Sequence, residues 1–365
     1  MNDLPRLQPP QFTPVNLITG FLGSGKTTLL KRMLASPALA NTAVLINEFG
    51  EIGLDHELLE RIDENIVLLQ SGCLCCTIRG ELSEAIRNLD QRRARGEISP
   101  YRRLVIESTG LADPLPILTT VTADPVLKHH YRLGLIVATV DAVNGMSHLD
   151  RQPESRKQVA VADRLVVTKT DLTPDGATAL IDRLRRLNPT ASMLLAARDE
   201  LDPEALIGHD LFDIATKSRE VAGWFEQEIA FDSAREAHGD HHHHDHTGGH
   251  HRPVHDPNRH GDDIHAFSLV FERSINWTAF GLWLSMLLNR HGEAILRVKG
   301  LLNIQGEDAP VAVHAVQQLV HAPLHLQRWP SGDRRTRIIF IGKGLDEGAV
   351  RRSFKAFLLQ GQALA

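Results

Sequence analysis

Apolar runs and helical patterns alternate through the first half of the chain. Short β-branched or apolar runs predict strands at 14–19, 43–47, 66–69, 104–107, 133–140 and 164–168, with a further candidate at 192–196. Helical periodicity follows several of these runs, at 26–35, 81–95 and 174–187. Regular alternation of strand and helix is typical of βαβ units, so the pattern predicts an α/β fold with a mainly parallel sheet.

The pattern breaks between about residues 238 and 260, where histidine, aspartate and glycine dominate. Such a segment cannot bury enough apolar surface to fold alone, so it is predicted to be a linker. A second, smaller α+β unit follows, with strands predicted at 266–271, 294–304, 309–319 and 336–341 and helices at 277–288 and 347–359. The predicted plan is a disordered N-terminus (1–12), a first domain (13–208), a linker (209–264) and a C-terminal domain (265–365).

Composition narrows the class of protein. A chain of 365 residues with 42% hydrophobic and 23% charged residues fits a two-domain globular protein. The net charge of −5 gives no support for nucleic acid or a membrane surface as a partner. Neither a membrane-spanning run nor a signal peptide is recognisable, which predicts a cytoplasmic location.

A phosphate-binding motif follows the first predicted strand. Residues 20–27, GFLGSGKT, fit G-x-x-x-x-G-K-[ST] without a mismatch, with Gly20, Gly23, Ser24 and Gly25 forming the loop. Lys26 is expected to reach the β- and γ-phosphates as a catalytic residue, and Thr27 to ligate Mg²⁺. The alternative is a glycine-rich turn with a chance lysine, and the order strand, loop, helix argues against it.

A carboxylate ends the predicted strand 104–107. Glu107 is expected to support Mg²⁺ directly or through water, or to orient the attacking water, and Gly110 to contact the γ-phosphate. A solvent-facing glutamate at a strand end is the alternative.

The sequence Thr168-Lys169-Thr170-Asp171 follows another apolar strand and fits the guanine-reading pattern [NT]-K-x-D. The Asp171 carboxylate would accept hydrogen bonds from the imino and amino groups of guanine, whereas adenine offers no matching donor pair. GTP is therefore predicted over ATP.

The three cysteines of the chain are clustered at Cys73, Cys75 and Cys76. Clustered thiolates suit Zn²⁺, Cu(I) or Co²⁺ better than Mg²⁺, so a metal site is predicted in the loop after strand 66–69. A buried apolar cluster, a reversible disulfide and an Fe–S site are the alternatives. The histidine-rich tract is expected to recruit or buffer metal weakly, the alternative being an inert solvated spacer.

These motifs occur together, and in the same order, in a known family. GFLGSGKT, NEFGEIGLD at 47–55, GCLCC at 72–76, ESTGLADP at 107–114 and TKTD resemble the CobW-type GTPases of metal homeostasis. The second unit resembles the family's C-terminal domain, with RVKG at 297–300 as one anchor. The similarity extends over nearly the whole chain after residue 12.

The resemblance implies a P-loop G domain with a mainly parallel sheet and a smaller α+β domain. It implies Cys73, Cys75 and Cys76 as metal ligands, residues 20–28 including Thr28 around phosphate, and Glu48 and Glu51 in a nucleotide switch that contacts metal or Mg²⁺. The implied function is GTP hydrolysis coupled to transfer of a metal, Zn²⁺ first and Co²⁺ second, to a client metalloprotein. Cobalt delivery in cobalamin biosynthesis and a metal-buffering protein with a regulatory nucleotide site are the alternatives, and a homo-oligomer remains open.

Overall fold

The computed structural model describes residues 12–46, 66–68, 78–173, 177–196, 202–203, 206–207 and 264–362. Tertiary contacts divide the chain into two units, Met1–Arg183 with Ala191–Thr216, and Leu184–Thr190 with Lys217–Ala365. Among the described residues, none of the helices combines the length and the hydrophobicity needed to cross a bilayer.

Within the described residues, the first sheet contains seven parallel strands. They are β1 (Thr13–Gly20), β2 (Thr42–Ile46), β3 (Ile66–Leu68), β4 (Arg103–Glu107), β5 (Tyr131–Asp141), β6 (Arg164–Thr168) and β7 (Ser192–Leu195). Their spatial order is β3-β2-β4-β1-β5-β6-β7. The central strands are buried along almost their whole length because helices cover parallel sheets on both faces, which explains their continuous apolar runs.

The described residues between β1 and β7 form the helices α1 (Lys26–Leu34), α2 (Ile78–Ala94), α3 (Pro114–Ala123), α4 (Gly145–Arg151), α5 (Pro153–Val161) and α6 (Ala177–Leu187). Leu29, Leu30 and Met33 of α1 lie in one buried cluster with sheet residues such as Val105 and Val137. This apolar contact fixes α1 behind β1, and therefore fixes the loop between them.

The second sheet is antiparallel. Its strands are β8 (Ile264–Phe271), β9 (Ile295–Leu302), β10 (Val311–Val316), β11 (Leu319–Val320), β12 (Leu324–His325) and β13 (Thr336–Lys343), in the order β11-β10-β9-β13-β8 with β12 on β10. In the described range 264–362 it is accompanied by the helices α7 (Trp277–His291) and α8 (Glu347–Gln362). Their aromatic side chains Phe280, Trp283 and Phe354 share a core with Phe340 of the sheet.

The predicted fold class is confirmed: a parallel α/β sheet carries the P-loop, and a separate antiparallel sheet with helices forms the C-terminal part. The predicted linker 209–264 lies outside the described residues except for Ile264, which begins β8. The predicted disordered N-terminus lies outside them except for Phe12.

Candidate nucleotide site

The phosphate-binding loop connects β1 to α1 at the carboxyl edge of the parallel sheet. Gly20 has a φ of 139°, and a Cβ there would lie 2.3 Å from Oγ1 of Thr139, so only glycine fits. Gly25 is the N-cap of α1 with a φ of 88° and supplies no side-chain cap. The N–H groups of the first turn of α1 are therefore presented to the loop, an arrangement that favours an anion.

The loop is attached to β5 and β6 by hydroxyl groups. Ser24 Oγ and Thr139 Oγ1 are 2.6 Å apart, and Thr168 Oγ1 donates to the Ser24 carbonyl at 2.8 Å. The ammonium of Lys26 folds over the loop and donates to the carbonyl of Phe21 at 3.2 Å. Thr28 lies exposed on the first turn of α1. The predicted phosphate residues thus share one loop whose backbone is held from two neighbouring strands.

Thr27, at the start of α1, contacts Glu107, at the end of β4. These strands are adjacent and parallel, with Ile18 paired to Glu107, so the start of α1 faces the end of β4. Thr27 Oγ1 donates to Glu107 Oε1 at 2.6 Å, and Glu107 is only 3% exposed. A hydroxyl and a carboxylate beside a phosphate loop are the hard oxygen donors that Mg²⁺ prefers, so these residues fit that ion.

Gly110 lies buried against the P-loop. A Cβ added to it would lie 2.5 Å from the backbone nitrogen of Leu22, closer than real Cβ atoms approach. The segment after Glu107 is therefore packed directly on the phosphate loop.

The guanine motif is joined to the same loop by Lys169. This residue adopts the left-handed conformation, with a φ of 57°. Its ammonium donates to the Gly23 carbonyl at 2.9 Å and to Asp141 Oδ2 at 2.8 Å. Asp171 lies exposed on the 3₁₀ turn that follows, Thr170–Leu172, where a base could reach it.

Asp141 belongs to the site although sequence reasoning missed it. It ends β5, is 2% exposed, and also accepts from the Val143 N–H and the Asn144 side-chain amide. Burial raises its pKa, but the hydrogen bonds from Lys169, Asn144 and Val143 outweigh burial and hold the pKa below its usual range. The sequence did contain a signal for Asp141, because it follows the apolar run 133–140 as Glu107 ends the run 104–107.

Of the predicted metal ligands, Thr27 lies within the described residues. Cys73, Cys75, Cys76 and Glu51 lie outside the described residues, as do Glu48 and the histidine-rich tract. Within the described ranges no group of three or more His, Cys, Asp or Glu side chains is arranged to hold a metal ion. Among the predicted ligands, the contacts described above therefore concern Thr27, the residue predicted to ligate Mg²⁺.

Comparison with known proteins identifies the family. Residues 14–195 match the CobW/HypB/UreG nucleotide-binding domain, and residues 264–358 match the C-terminal domain of the cobalamin synthesis protein CobW. The zinc chaperone YjiA of Escherichia coli is 30% identical over 345 residues, covering 93% of this chain and 97% of YjiA. The chain belongs to the CobW family.

One further relative and one solved structure are informative. The zinc-regulated GTPase metalloprotein activator 1 of Schizosaccharomyces pombe is 33% identical over 197 residues, which cover 52% of this chain and 47% of that protein. The crystal structure of the Zn(II)-bound YjiA GTPase from E. coli aligns with a TM-score of 0.66 and 26% identity, covering 96% of this chain and 99% of YjiA. The resemblance to CobW-type GTPases is thereby confirmed.

Proposed function

We propose that this chain is a GTP-hydrolysing metallochaperone that carries zinc and transfers it to a client metalloprotein. The observation that carries the proposal is the Thr27–Glu107 pair beside an intact P-loop that Lys169 joins to a guanine motif. The relatives named zinc chaperone and GTPase metalloprotein activator support the metal half.

Phosphate binding and hydrolysis rest on positive charge and on oxygen ligands. Lys26 and the N-terminus of α1 would neutralise the phosphate oxygens, while Thr27 and Glu107 would hold Mg²⁺. When bound, Mg²⁺ supplies further neutralisation of the charge on the β- and γ-phosphate oxygens. Glu107 can in addition accept a hydrogen bond from a water at the γ-phosphate, since it ends the strand next to the loop.

Specificity for guanine would come from Asp171. Its carboxylate can accept two hydrogen bonds from guanine, and an adenine in its place would leave the carboxylate without donors. The Lys169 ammonium, attached to both Gly23 and Asp141, places this motif at a fixed distance from the phosphates.

Zinc is proposed as cargo on Cys73, Cys75 and Cys76, because thiolates bind it strongly. Glu51 is proposed to act as a further metal ligand from a segment that responds to the nucleotide. Mg²⁺ and Zn²⁺ would not compete in this scheme, since one prefers oxygen ligands and the other sulfur.

The test is steady-state hydrolysis by the full chain with Mg²⁺ and GTP or ATP. We expect GTP turnover that GDP inhibits and ADP does not. Lys26→Ala should abolish turnover, and Glu107→Gln, which keeps the side-chain size, should lower kcat by roughly a hundredfold. Lys31→Ala, on the same helix but more than a turn beyond the loop, is the matched control and should leave turnover unchanged. Absence of Lys26-dependent hydrolysis would contradict the proposal and favour a metal buffer.

A further inference from the structure

The loop that follows Glu107 is held by one side of α5. Gln158, which is 1% exposed, donates through Nε2 to the carbonyls of Gly110 and Ala112, at 3.1 Å each. Its neighbour Lys157 donates to Asp113 Oδ2 at 2.8 Å. Residues 108–113, here called the γ-phosphate loop, are therefore attached to α5 at three points.

The two carbonyl acceptors determine the orientation of the buried Gln158 side-chain amide. With Nε2 facing the loop, both of its protons have carbonyl acceptors, while Oε1 is buried without a hydrogen-bond partner in the described part of the chain. The opposite orientation would place an oxygen against two carbonyl oxygens. Leaving Oε1 buried without a donor costs free energy. The side chain adopts this orientation because its Nε2 group then makes both hydrogen bonds to the loop.

The contacts fix the orientation of particular peptide groups. Because a trans peptide is planar, holding the Gly110 carbonyl towards α5 turns the N–H of Leu111 away from it. Gly110 itself is packed on Leu22 of the P-loop, so a displacement of this loop would be transmitted to the phosphate-binding loop. The platform is rigid, since Val159, Ala160 and Val161 of α5 are fully buried.

We propose that Gln158 is a positioning residue for GTP hydrolysis, which holds the γ-phosphate loop against the P-loop, with Lys157 as a second, weaker attachment. The inference rests on the proposed GTPase function and adds a residue outside the P-loop, the Thr27–Glu107 pair and the guanine motif. Its effect is specific to the γ-phosphate, because GDP has no group that reaches this loop.

The test compares Gln158→Met and Gln158→Glu with the wild type. The first removes both donors at similar length, and the second places a carboxylate against two carbonyl oxygens. We expect kcat for GTP to fall roughly tenfold, since displacement of a positioning group costs rate. Affinity for the β,γ-imido analogue of GTP should fall while affinity for GDP stays within about twofold. The exposed Gln91→Met on α2 is the matched control and should change none of these values.

Several outcomes would overturn the inference. An unchanged kcat in both variants would do so, as would equal losses of GDP and analogue affinity together with a lower melting temperature, which indicate a purely structural role. If the Gln158 variants do not fold, Lys157→Met decides: a kcat lowered about twofold supports the attachment, and an unchanged kcat contradicts it. A wild type without Lys26-dependent hydrolysis is instead a failure of the proposed function, and the ratio of analogue to GDP affinity then still tests the role of Gln158.

Discussion

Lys169 connects three parts of the nucleotide site through one side chain. Its ammonium contacts the P-loop carbonyl of Gly23 and the buried carboxylate of Asp141, and its backbone begins the turn that carries Asp171. The left-handed backbone at Lys169 is unfavourable for a residue with a Cβ, so these contacts hold the motif in place. Asp141 therefore helps to position the guanine motif although it lies outside that motif.

Replacing Asp141 by Asn tests this role. The substitution preserves shape but removes the charge that holds Lys169, so we expect GTP affinity to fall roughly tenfold. Because its folded-state pKa is lowered, Asp141 contributes stability above its unfolded pKa that is lost as pH falls through the folded value. Asp141→Asn should therefore also lose less stability between neutral and acidic pH than the wild type.

The measurements are nucleotide titration and denaturant unfolding at several pH values. Asp150→Asn is the control, since Asp150 is 60% exposed in its ion pair with Arg183 and should matter little. Wild-type GTP affinity in Asp141→Asn would show that Gly23 alone positions Lys169.

At the residue scale, prediction from sequence depends on a motif. GFLGSGKT and TKTD carry their own spacing, so Lys26, Thr27 and Asp171 could be named as candidates from the order of amino acids alone. Glu107 followed from its strand-end position. Gln158 was not identifiable, because an uncharged glutamine in a helix acquires a role only through a tertiary contact with residues about 46 and 48 positions away.

At the scale of elements, the parallel strands were predictable, but three helices and the strand β12 were not, and the strand predicted at 309–319 is divided into β10 and β11. Buried parallel strands give continuous apolar runs, so β1, β4, β5 and β6 were found to within three residues at either end. Helix α3 lacks amphipathic periodicity because most of it is buried, and it contains Pro114, Pro116 and several threonines. Helices α4 and α5 are short and separated only by Gln152, with Pro153 starting the second.

A polar network joins α2 to the amino ends of β4 and β5. Tyr101 and Tyr131, the chain's two tyrosines, have hydroxyls 2.6 Å apart, and Tyr131 donates to Asp90 Oδ1 at 2.9 Å. Arg93 pairs with the same carboxylate and lies over the Tyr101 ring. Burial raises the pKa of Tyr101 to about 12, and burial followed by the nearby Tyr101 and Asp90 raises that of Tyr131.

These shifts predict the alkaline behaviour of the protein. A raised phenol pKa contributes stability that is complete below the unfolded value of about 10 and is lost as pH rises above it. We expect no tyrosinate absorbance at pH 10 in the folded protein, with unfolding and ionisation occurring together at higher pH. Asp90→Asn should shift ionisation of both phenols to lower pH, and Glu84→Gln on the same helix should not. Half-ionisation of the folded protein near pH 10 would contradict the network.

At the scale of the whole molecule, the fold connects the nucleotide site to the segments that carry the predicted metal ligands. The P-loop, Glu107 and Gly110 meet at the carboxyl edge of the sheet, where β2 and β3 also end. The segments that leave β2 and β3 contain Glu51 and the three cysteines, by sequence alone. Parallel strands end at one edge, so topology starts both segments near the phosphate site.

The coupling hypothesis follows from this placement. We propose that γ-phosphate contacts order the segments with Glu51 and the cysteines into a closed thiolate site, and that hydrolysis releases the ion to a client. The sequence predicts thiolate and carboxylate ligands, but their arrangement in space depends on tertiary contacts that residue spacing does not determine. By linkage, zinc and the triphosphate must strengthen each other's binding by the same factor.

The most direct test measures zinc affinity by competition with a chromogenic chelator, in the presence of Mg²⁺ and either GDP or the β,γ-imido analogue of GTP. We expect zinc binding to be roughly tenfold tighter with the analogue. Replacing both Cys75 and Cys76 by Ser should abolish tight binding without changing GDP affinity. Equal zinc affinities in the two nucleotide states would contradict a GTP-controlled metal site.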